Sequence, residues 1–158
     1  MNNVAINADG IILPLWSGKA CCFALKVLEE IGRDNWELSV LFCNDKKITE
    51  LNYQYRNKNE PTDILSFSLG GNVIKDGKNI YYPGDIVISL DTLKENAEFF
   101  KIKEDEELRR LIIHGILHLD GMDHETLEKN EPMLALQEKI LEKLKNERIM
   151  TGDFGGKK

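Results

Sequence analysis

All three histidines of the chain lie within eleven residues, at His114, His118 and His124. His114 and His118 are four positions apart, so on a helix their imidazoles project from one face and can reach one ion. Gly121 can end that helix and let the chain double back, which would bring His124 round as a third ligand. Three histidines leave a fourth tetrahedral position open for water or substrate, which is typical of a catalytic zinc site.

A histidine on an apolar helix face is commonly a hydrogen-bonded core residue, but here that interpretation must account for three costly polar groups beside one apolar segment. We therefore predict that the three histidines bind Zn²⁺. The ion is inferred from ligand type alone, and nickel, cobalt or copper could bind the same imidazoles. Asp120 and Asp123 are candidate acceptors that would orient the histidines, and the alternative for each is an exposed turn residue.

Residues 114–124 also have the spacing of the H-E-x-x-H-x-x-G-x-x-H motif of metzincin proteases, except that Gly115 replaces the glutamate. That glutamate is the general base, and without it peptide hydrolysis by this route loses a factor of about a hundred or more. A metal-dependent protease or another hydrolase is therefore an alternative that needs a carboxylate from elsewhere in the chain. Because all three histidines would be metal ligands, proton transfer beside the metal would need a carboxylate such as Asp85 or a second water. A structural role at a strand edge is the simpler interpretation of Asp85.

Arg56 belongs to the one basic stretch of an acidic protein. Residues 44–59 contain four basic and two acidic side chains, whereas the whole chain has a formal net charge of -6 and a pI near 5.2. This balance argues against a general coating of nucleic acid or an anionic membrane, but it permits a local anion site. Arginine suits bidentate phosphate binding. The alternative is that Arg56 is a solvated loop residue or pairs with Glu60.

Length and composition set the frame for these residues. The chain has 158 residues, of which 42% are hydrophobic and 30% charged, as expected for one globular domain. We place this domain, which the histidines would make catalytic, over residues 1–150, and we expect a disordered tail at 151–158. Its three cysteines make neither an even-numbered disulfide framework nor a CxxC pair, which indicates a reducing cytoplasm. No apolar run is long enough to span a bilayer, and the N-terminus lacks a signal-peptide pattern, so no membrane association is expected.

Hydrophobic periodicity predicts the elements that must position the histidines. Strands are expected over 4–6, 36–43, 64–69, 80–82 and 85–90, with a turn at Gly70 and Gly71 and a break at Pro83 and Gly84. Helices are expected over 17–31, 45–55, 91–100, 104–119 and 126–148. The fold class is therefore α+β, with a mixed sheet of about four strands, surrounding helices, and a buried central helix that carries the metal-site histidines.

Three segments, in this order and spacing, resemble the bacterial YbeY family of metal-dependent endoribonucleases: Arg56-x5-Thr62-Asp-Ile-Leu-Ser-Phe67, Gly84-Asp-Ile-Val-Ile-Ser89, and residues 114–124. The resemblance extends over roughly residues 4–148. It implies an α+β fold, zinc held by the three histidines, and Arg56 as a functional arginine near the metal. Ser68 and Met122 depart from the family pattern, which bears on RNA sequence preference more than on the reaction.

The same resemblance implies cleavage of single-stranded RNA in ribosomal RNA maturation, at the 3' end of 16S rRNA, and in ribosome quality control. The expected partners are ribosomal RNA and the ribosome or its proteins. The leading hypothesis is therefore hydrolysis of RNA phosphodiester bonds at a three-histidine zinc site, with Arg56 neutralising charge on the phosphate. A different class of function stays open, namely a non-catalytic ribosome assembly factor in which zinc only stabilises the fold.

Overall fold

The computed structural model describes residues 1–151, so most of the predicted disordered tail, residues 152–158, lies outside the described residues. This part of the chain forms four strands and five helices. In chain order they are β1 (Asn3–Asp9), α1 (Ser17–Glu30), β2 (Glu37–Cys43), α2 (Asp45–Arg56), β3 (Ile64–Lys75), β4 (Lys78–Ser89), α3 (Leu90–Phe100), α4 (Glu104–Leu119) and α5 (Pro132–Lys143).

The four strands form one mixed sheet in the order β1-β2-β4-β3. β2 pairs in parallel with both β1 and β4, whereas β3 pairs with β4 in the antiparallel sense. β4 is an interior strand, and its apolar run of Ile86, Val87 and Ile88 is buried because both faces of the sheet are covered there. The predicted α+β class with a mixed sheet of about four strands is confirmed.

The predicted turn at Gly70 and Gly71 is wrong, because β3 continues through both glycines to Lys75. The pairing register of β3 with β4 shifts between Ser68 and Gly71, so a β-bulge accommodates the glycine pair within the strand. The actual turn lies further on, where Asp76 and Gly77 both have positive φ. Glycines in a strand pattern therefore marked a bulge here and not a chain reversal.

The predicted break at Pro83 and Gly84 is also wrong, because β4 is one strand of 12 residues. Pro83 lies opposite the bulge, between the partners of Ser68 and Gly71, where a missing N–H interrupts no regular ladder bond. Gly84 has a φ of +143°, and a Cβ there would come within 1.9 Å of the Phe67 carbonyl oxygen. The two strands approach this closely only because residue 84 has no side chain.

α4 is the buried central helix that the apolar pattern predicted. Leu108, Ile112, Ile113, Ile116 and Leu117 are fully buried along it. The helix contacts α1, α3, α5 and the β3–β4 side of the sheet. The histidines therefore project from an element held on several sides by the core, which limits their freedom to move.

The first turns of α4 carry charges that are paired with one another. Buried Asp105 accepts hydrogen bonds from Arg109 Nε at 2.9 Å and from the backbone N–H groups of Ile149 and Met150 at 2.8 and 2.6 Å. Arg110 donates to Glu106, Glu107 and Glu138. These bonds tie the end of the described chain and helix α5 to the start of α4.

The predicted last helix over 126–148 is wrong at its start and its end, because α5 covers only Pro132–Lys143. Pro132 begins the helix, since proline is favoured in the first turn and excluded from later ones. Residues 124–131 form a loop instead, in which Thr126 donates through its backbone N–H and its hydroxyl to Glu131. This loop begins at His124 and closes one side of the candidate site.

Candidate metal centre

The end of α4 brings the three histidines together. The helix ends at Leu119, and Gly121, with a φ of +95°, lets the chain reverse. Ring centroids are 4.6 Å apart for His114 and His118, 5.3 Å for His114 and His124, and 5.7 Å for His118 and His124. One ring nitrogen from each histidine lies within 4.8 Å of the others, so the group could hold a metal ion.

Each histidine faces a carbonyl oxygen with its Nδ1 atom. The acceptors are Gln137 Oε1 for His114 at 2.6 Å, Met122 O for His118 at 3.1 Å, and Thr126 O for His124 at 2.8 Å. A carbonyl oxygen only accepts hydrogen bonds, so each Nδ1 carries a proton, and the tautomer that makes this bond leaves Nε2 as the nitrogen available to a metal. Metal-ligating histidines characteristically donate their other nitrogen in this way.

The Nε2 atoms of His114 and His118 lie 3.1 Å apart. In neutral rings with protonated Nδ1 atoms both are acceptors, and two acceptors at this distance repel unless a cation lies between or beside them. Burial, as the largest cause, lowers the pKa of both His114 and His118, which favours the neutral rings that bind metals. The donor set therefore fits a divalent transition metal, and three imidazoles suit zinc, copper, nickel or cobalt alike.

The sequence missed Gln137, which is buried on α5. Its Oε1 accepts from His114, and its Nε2 donates to Glu138 Oε2 at 3.1 Å, which sets the direction of the amide. A signal was available, because Gln137 lies on the same helical stripe as buried Met133 and Leu141. A polar residue on such an apolar stripe needs a partner, but the stripe does not say which one.

The two aspartates proposed as orienting acceptors have other roles. Asp120 accepts two hydrogen bonds from Arg33, at 2.8 and 3.1 Å, so the prediction for Asp120 is wrong. Asp123 Oδ1 accepts from the backbone N–H of His124 at 2.8 Å and lies 3.9 Å from His118 Nδ1, too far for a hydrogen bond. Asp123 thus shapes the turn that carries His124.

Arg56 is the last residue of α2 and reaches the same space as the histidines. It lines a cavity of about 780 Å³ together with His114, His118 and His124. Burial chiefly lowers the pKa of His118, and the positive charge on Arg56 adds to that lowering. Within residues 1–151 Arg56 makes no hydrogen bond or ion pair, so the alternative pairing with Glu60 is not observed. An exposed, unpaired guanidinium beside the histidines is available to an anion.

β3 and the end of α2 form the walls of this first cavity. Tyr55, Ser66, Phe67 and Ser68 line it, and the Tyr55 and Phe67 rings meet edge to face at 5.1 Å. Asp85 is absent from the lining and instead accepts a hydrogen bond from Ser39 on the neighbouring strand β2. The structural interpretation of Asp85 is therefore the better one.

A second cavity, of about 550 Å³, adjoins the histidines. It shares Ile64, His114 and His124 with the first cavity, but Arg56 is not part of its lining. Most of its surface is apolar and comes from α3, α4, α5 and the loop after His124. The candidate site thus consists of two unlike cavities that meet at the histidines.

Gly115, which replaces the glutamate of the protease motif, lies where α4 packs closely on the sheet. A Cβ at this position would lie 2.9 Å from Ile86 Cδ1 and 3.1 Å from Ile64 Cδ1, so α4 packs against the sheet at van der Waals distance. A side chain at 115 would require the ends of these isoleucines to shift. Asp123 is the one carboxylate in the described lining of the first cavity, and it approaches the Nδ1 side of His118 and not the Nε2 side.

No helix in residues 1–151 is both long and apolar enough to cross a bilayer.

Comparison with known proteins gives one consistent result. The family model for Endoribonuclease YbeY matches residues 18–145. Proteins named Endoribonuclease YbeY are similar to this chain at 48% identity over 128 residues in Treponema denticola, with 80% of this chain and 83% of that protein covered. The relative from Treponema pallidum strain Nichols is 42% identical over 142 residues, which is 89% of each chain. The family resemblance carried by the three sequence segments is confirmed.

A solved structure supports the same fold. The solution structure of TM1509 from Thermotoga maritima superposes with a TM-score of 0.63 at 30% identity, and the match covers 91% of this chain and 90% of that one.

Proposed function

The chain belongs to the YbeY family of endoribonucleases, and from this membership we propose that it hydrolyses phosphodiester bonds of single-stranded RNA at a metal centre held by His114, His118 and His124. One observation carries the ligand assignment. The three rings donate from Nδ1 to carbonyl oxygens, and one ring nitrogen of each histidine lies within 4.8 Å of the others. We propose zinc as the ion, because an all-imidazole set with a fourth position open is a common catalytic zinc arrangement.

Arg56 is the residue of this chain that we assign to the phosphate. Its guanidinium is exposed and unpaired within residues 1–151, and it lines the same cavity as the histidines. It would bind phosphate oxygens and neutralise the charge that builds on them in the transition state. The ion, when bound, would supply Lewis-acid stabilisation of the same phosphoryl group. The histidines hold their orientation through Gln137 and two backbone carbonyls.

We propose that the physiological substrate is ribosomal RNA, that the protein acts at the 3' end of 16S rRNA and in ribosome quality control, and that it meets the ribosome or its proteins there. This proposal rests on the family resemblance and on Arg56, a cation beside the histidines in a chain whose formal net charge is -6. We also propose residues 1–150 as a single catalytic domain acting in the cytoplasm, which agrees with the three free cysteines of the described part.

The test is cleavage of a labelled single-stranded RNA by zinc-loaded protein, beside Arg56→Ala and His124→Ala variants purified identically to control for contaminating ribonuclease. We expect cleavage by the parent alone, with normal folding and metal content in Arg56→Ala. Equal cleavage by all three proteins, or by none, would overturn the enzymatic proposal. Joint loss of stability and RNA binding in His124→Ala, without cleavage by the parent, would instead indicate a zinc-stabilised assembly factor.

A further inference from the structure

The second cavity carries apolar groups that the fold leaves without cover. Leu111 and Leu134 line its inside, whereas Phe100 and Leu127 stand at its rim with 60% and 84% of their surface exposed. Large side chains exposed next to a cavity commonly mark a surface that binds something. An exposed aromatic ring beside a site for single-stranded RNA is typical of a platform on which a base stacks.

The charges around the second cavity disfavour a phosphate. Its lining includes the carboxylates of Asp63, Glu107 and Glu138 together with two basic side chains, Arg110 and Lys129. Arg110 is fully engaged, because it donates to Glu107 and Glu138 in the lining and also to Glu106. Because Arg110 is already paired with two of the three carboxylates, only the exposed Lys129 is left to bind a phosphate in this cavity.

The same lining favours a neutral ring with N–H donors. The carboxylate of Asp63 is half-buried at the cavity and that of Glu107 is buried, so both lie in a setting of reduced solvent screening. Asp63 accepts a hydrogen bond from Asn96 and Glu107 accepts one from Arg110, and a carboxylate can accept more than one. Adenine, cytosine and guanine carry exocyclic amino groups that can donate to such acceptors, whereas uracil has none. The apolar remainder of the cavity suits the faces of a planar base.

We propose that the second cavity binds the nucleobase of a nucleotide next to the cleaved phosphate, while the phosphate occupies the first cavity beside Arg56. This rests on the proposed function, since the two cavities meet at His114 and His124. The base stacks on Phe100 and donates from its amino group to Asp63 or Glu107. The acidic and apolar cavity thus selects the base, and the cationic one binds the backbone.

Two neighbouring phenylalanines provide a matched pair of variants. Phe99 and Phe100 are both exposed at the end of α3 and contact each other at 5.1 Å, but only Phe100 lines the cavity. Against an RNA whose cleavage position has been mapped, Phe100→Ala should lower kcat/KM about tenfold, as loss of one stacked base does. Phe99→Ala should stay within about twofold of the parent. Equal effects of the two variants, or no effect of either, would overturn the proposal.

A second pair of variants tests the same cavity by adding a large side chain instead of removing one. Leu134 and Ala135 are neighbours on α5, and Leu134 lines the cavity whereas Ala135 is exposed to solvent. Leu134→Trp should remove the preference among RNAs that differ only in the bases flanking the cleaved bond, and Ala135→Trp should retain it. Bound metal per chain, measured for both, must equal that of the parent. A preference unchanged in Leu134→Trp would count against this location of the base.

Binding of free nucleosides separates this proposal from the proposed function. Adenosine, cytidine and guanosine should shift the NMR signals of Phe100 and α5 at lower concentration than uridine, and Phe100→Ala should weaken that binding. Absence of RNA cleavage by the parent would overturn the proposed function, whatever the nucleosides do. Cleavage without any nucleoside binding at these residues would overturn the base site and leave the nuclease standing. Equal binding of uridine would contradict the role of Asp63 and Glu107.

Discussion

Polar side chains at the start of helix α4 are paired with groups of opposite charge, whereas two ring nitrogens at its end face each other. At its start, Arg109 and Arg110 meet acidic partners, and buried Asp105 accepts three hydrogen bonds. At its end, His114 and His118 direct unprotonated nitrogens at each other over 3.1 Å. Both ends belong to one buried helix, but only at its start do these polar groups have complementary partners.

This difference distinguishes polar groups that stabilise the fold from polar groups that bind a ligand. A paired and hydrogen-bonded charge network needs nothing further and holds other segments in place. A group of acceptors that face one another lacks the cation that would make it favourable, so it indicates a ligand from outside the chain. The two ends should therefore respond differently to substitution, one through stability and the other through metal and activity.

The largest expected effect is at the histidine end. His118→Ala should lose bound metal and RNA cleavage, because it removes one of three ligands. In the metal-free protein the same change should lower the free energy of unfolding by less than about 1 kcal/mol, because it also removes the repulsion with His114. Metal analysis, an RNA cleavage assay and urea unfolding measure the three quantities. If His118→Ala bound as much metal as the parent, His118 would not be a ligand, and the contrast between the two ends of α4 would fail.

At the other end, Asp105→Ala should lower the free energy of unfolding by about 3–5 kcal/mol, because it leaves Arg109 as a buried and unpaired charge. Bound metal per folded chain should not change. The control is Glu142→Ala, which removes an exposed partner of Lys145 and should have almost no effect. Chemical unfolding of the three proteins is the measurement, and a loss of metal in folded Asp105→Ala would show that the two ends are coupled.

Arg56 extends the functional end beyond the metal ligands. Arg56→Ala should lower kcat about 10²–10³-fold, comparable to removal of one transition-state hydrogen-bond donor, without changing metal content or unfolding. Arg56→Lys should recover only part of this loss, because lysine lacks the planar two-pronged donor. Lys46→Ala, an exposed cation at the other end of α2, is the control. An equal loss in Lys46→Ala would point to general electrostatic attraction and not to a role at the site.

The smallest expected effect is at Gln137 on α5. Its side chain bonds to His114, and its neighbour Glu138 bonds to Arg110 nearer the start of α4. Gln137→Leu should weaken metal binding about 10–100-fold, because His114 loses the acceptor that fixes its tautomer. Gln137→Glu keeps an acceptor at this position and should restore most of the affinity. Competition with a chelator gives the dissociation constants. If Gln137→Leu bound metal as tightly as the parent, the hydrogen bond to His114 would be incidental.

Sequence patterns predicted the features that depend on residues close together in the chain. The i, i+4 spacing of His114 and His118 on an apolar helix predicted the histidine group, and the alternation in β2 predicted a strand. The continuous hairpin was not predictable, because Gly84 serves a close approach to Phe67 that only the partner strand creates. Gln137 was missed for the same reason, since its partner lies 23 residues away on another helix.

That separation of 23 residues also sets an order in time. Translation proceeds from the N-terminus, so His114, His118 and His124 are synthesised before Gln137, which aligns the first of them. α5 must then pack against α4 before the hydrogen bond can form. A nascent chain that has not yet packed α5 therefore carries all three imidazoles without the finished centre, and helix α5 completes it.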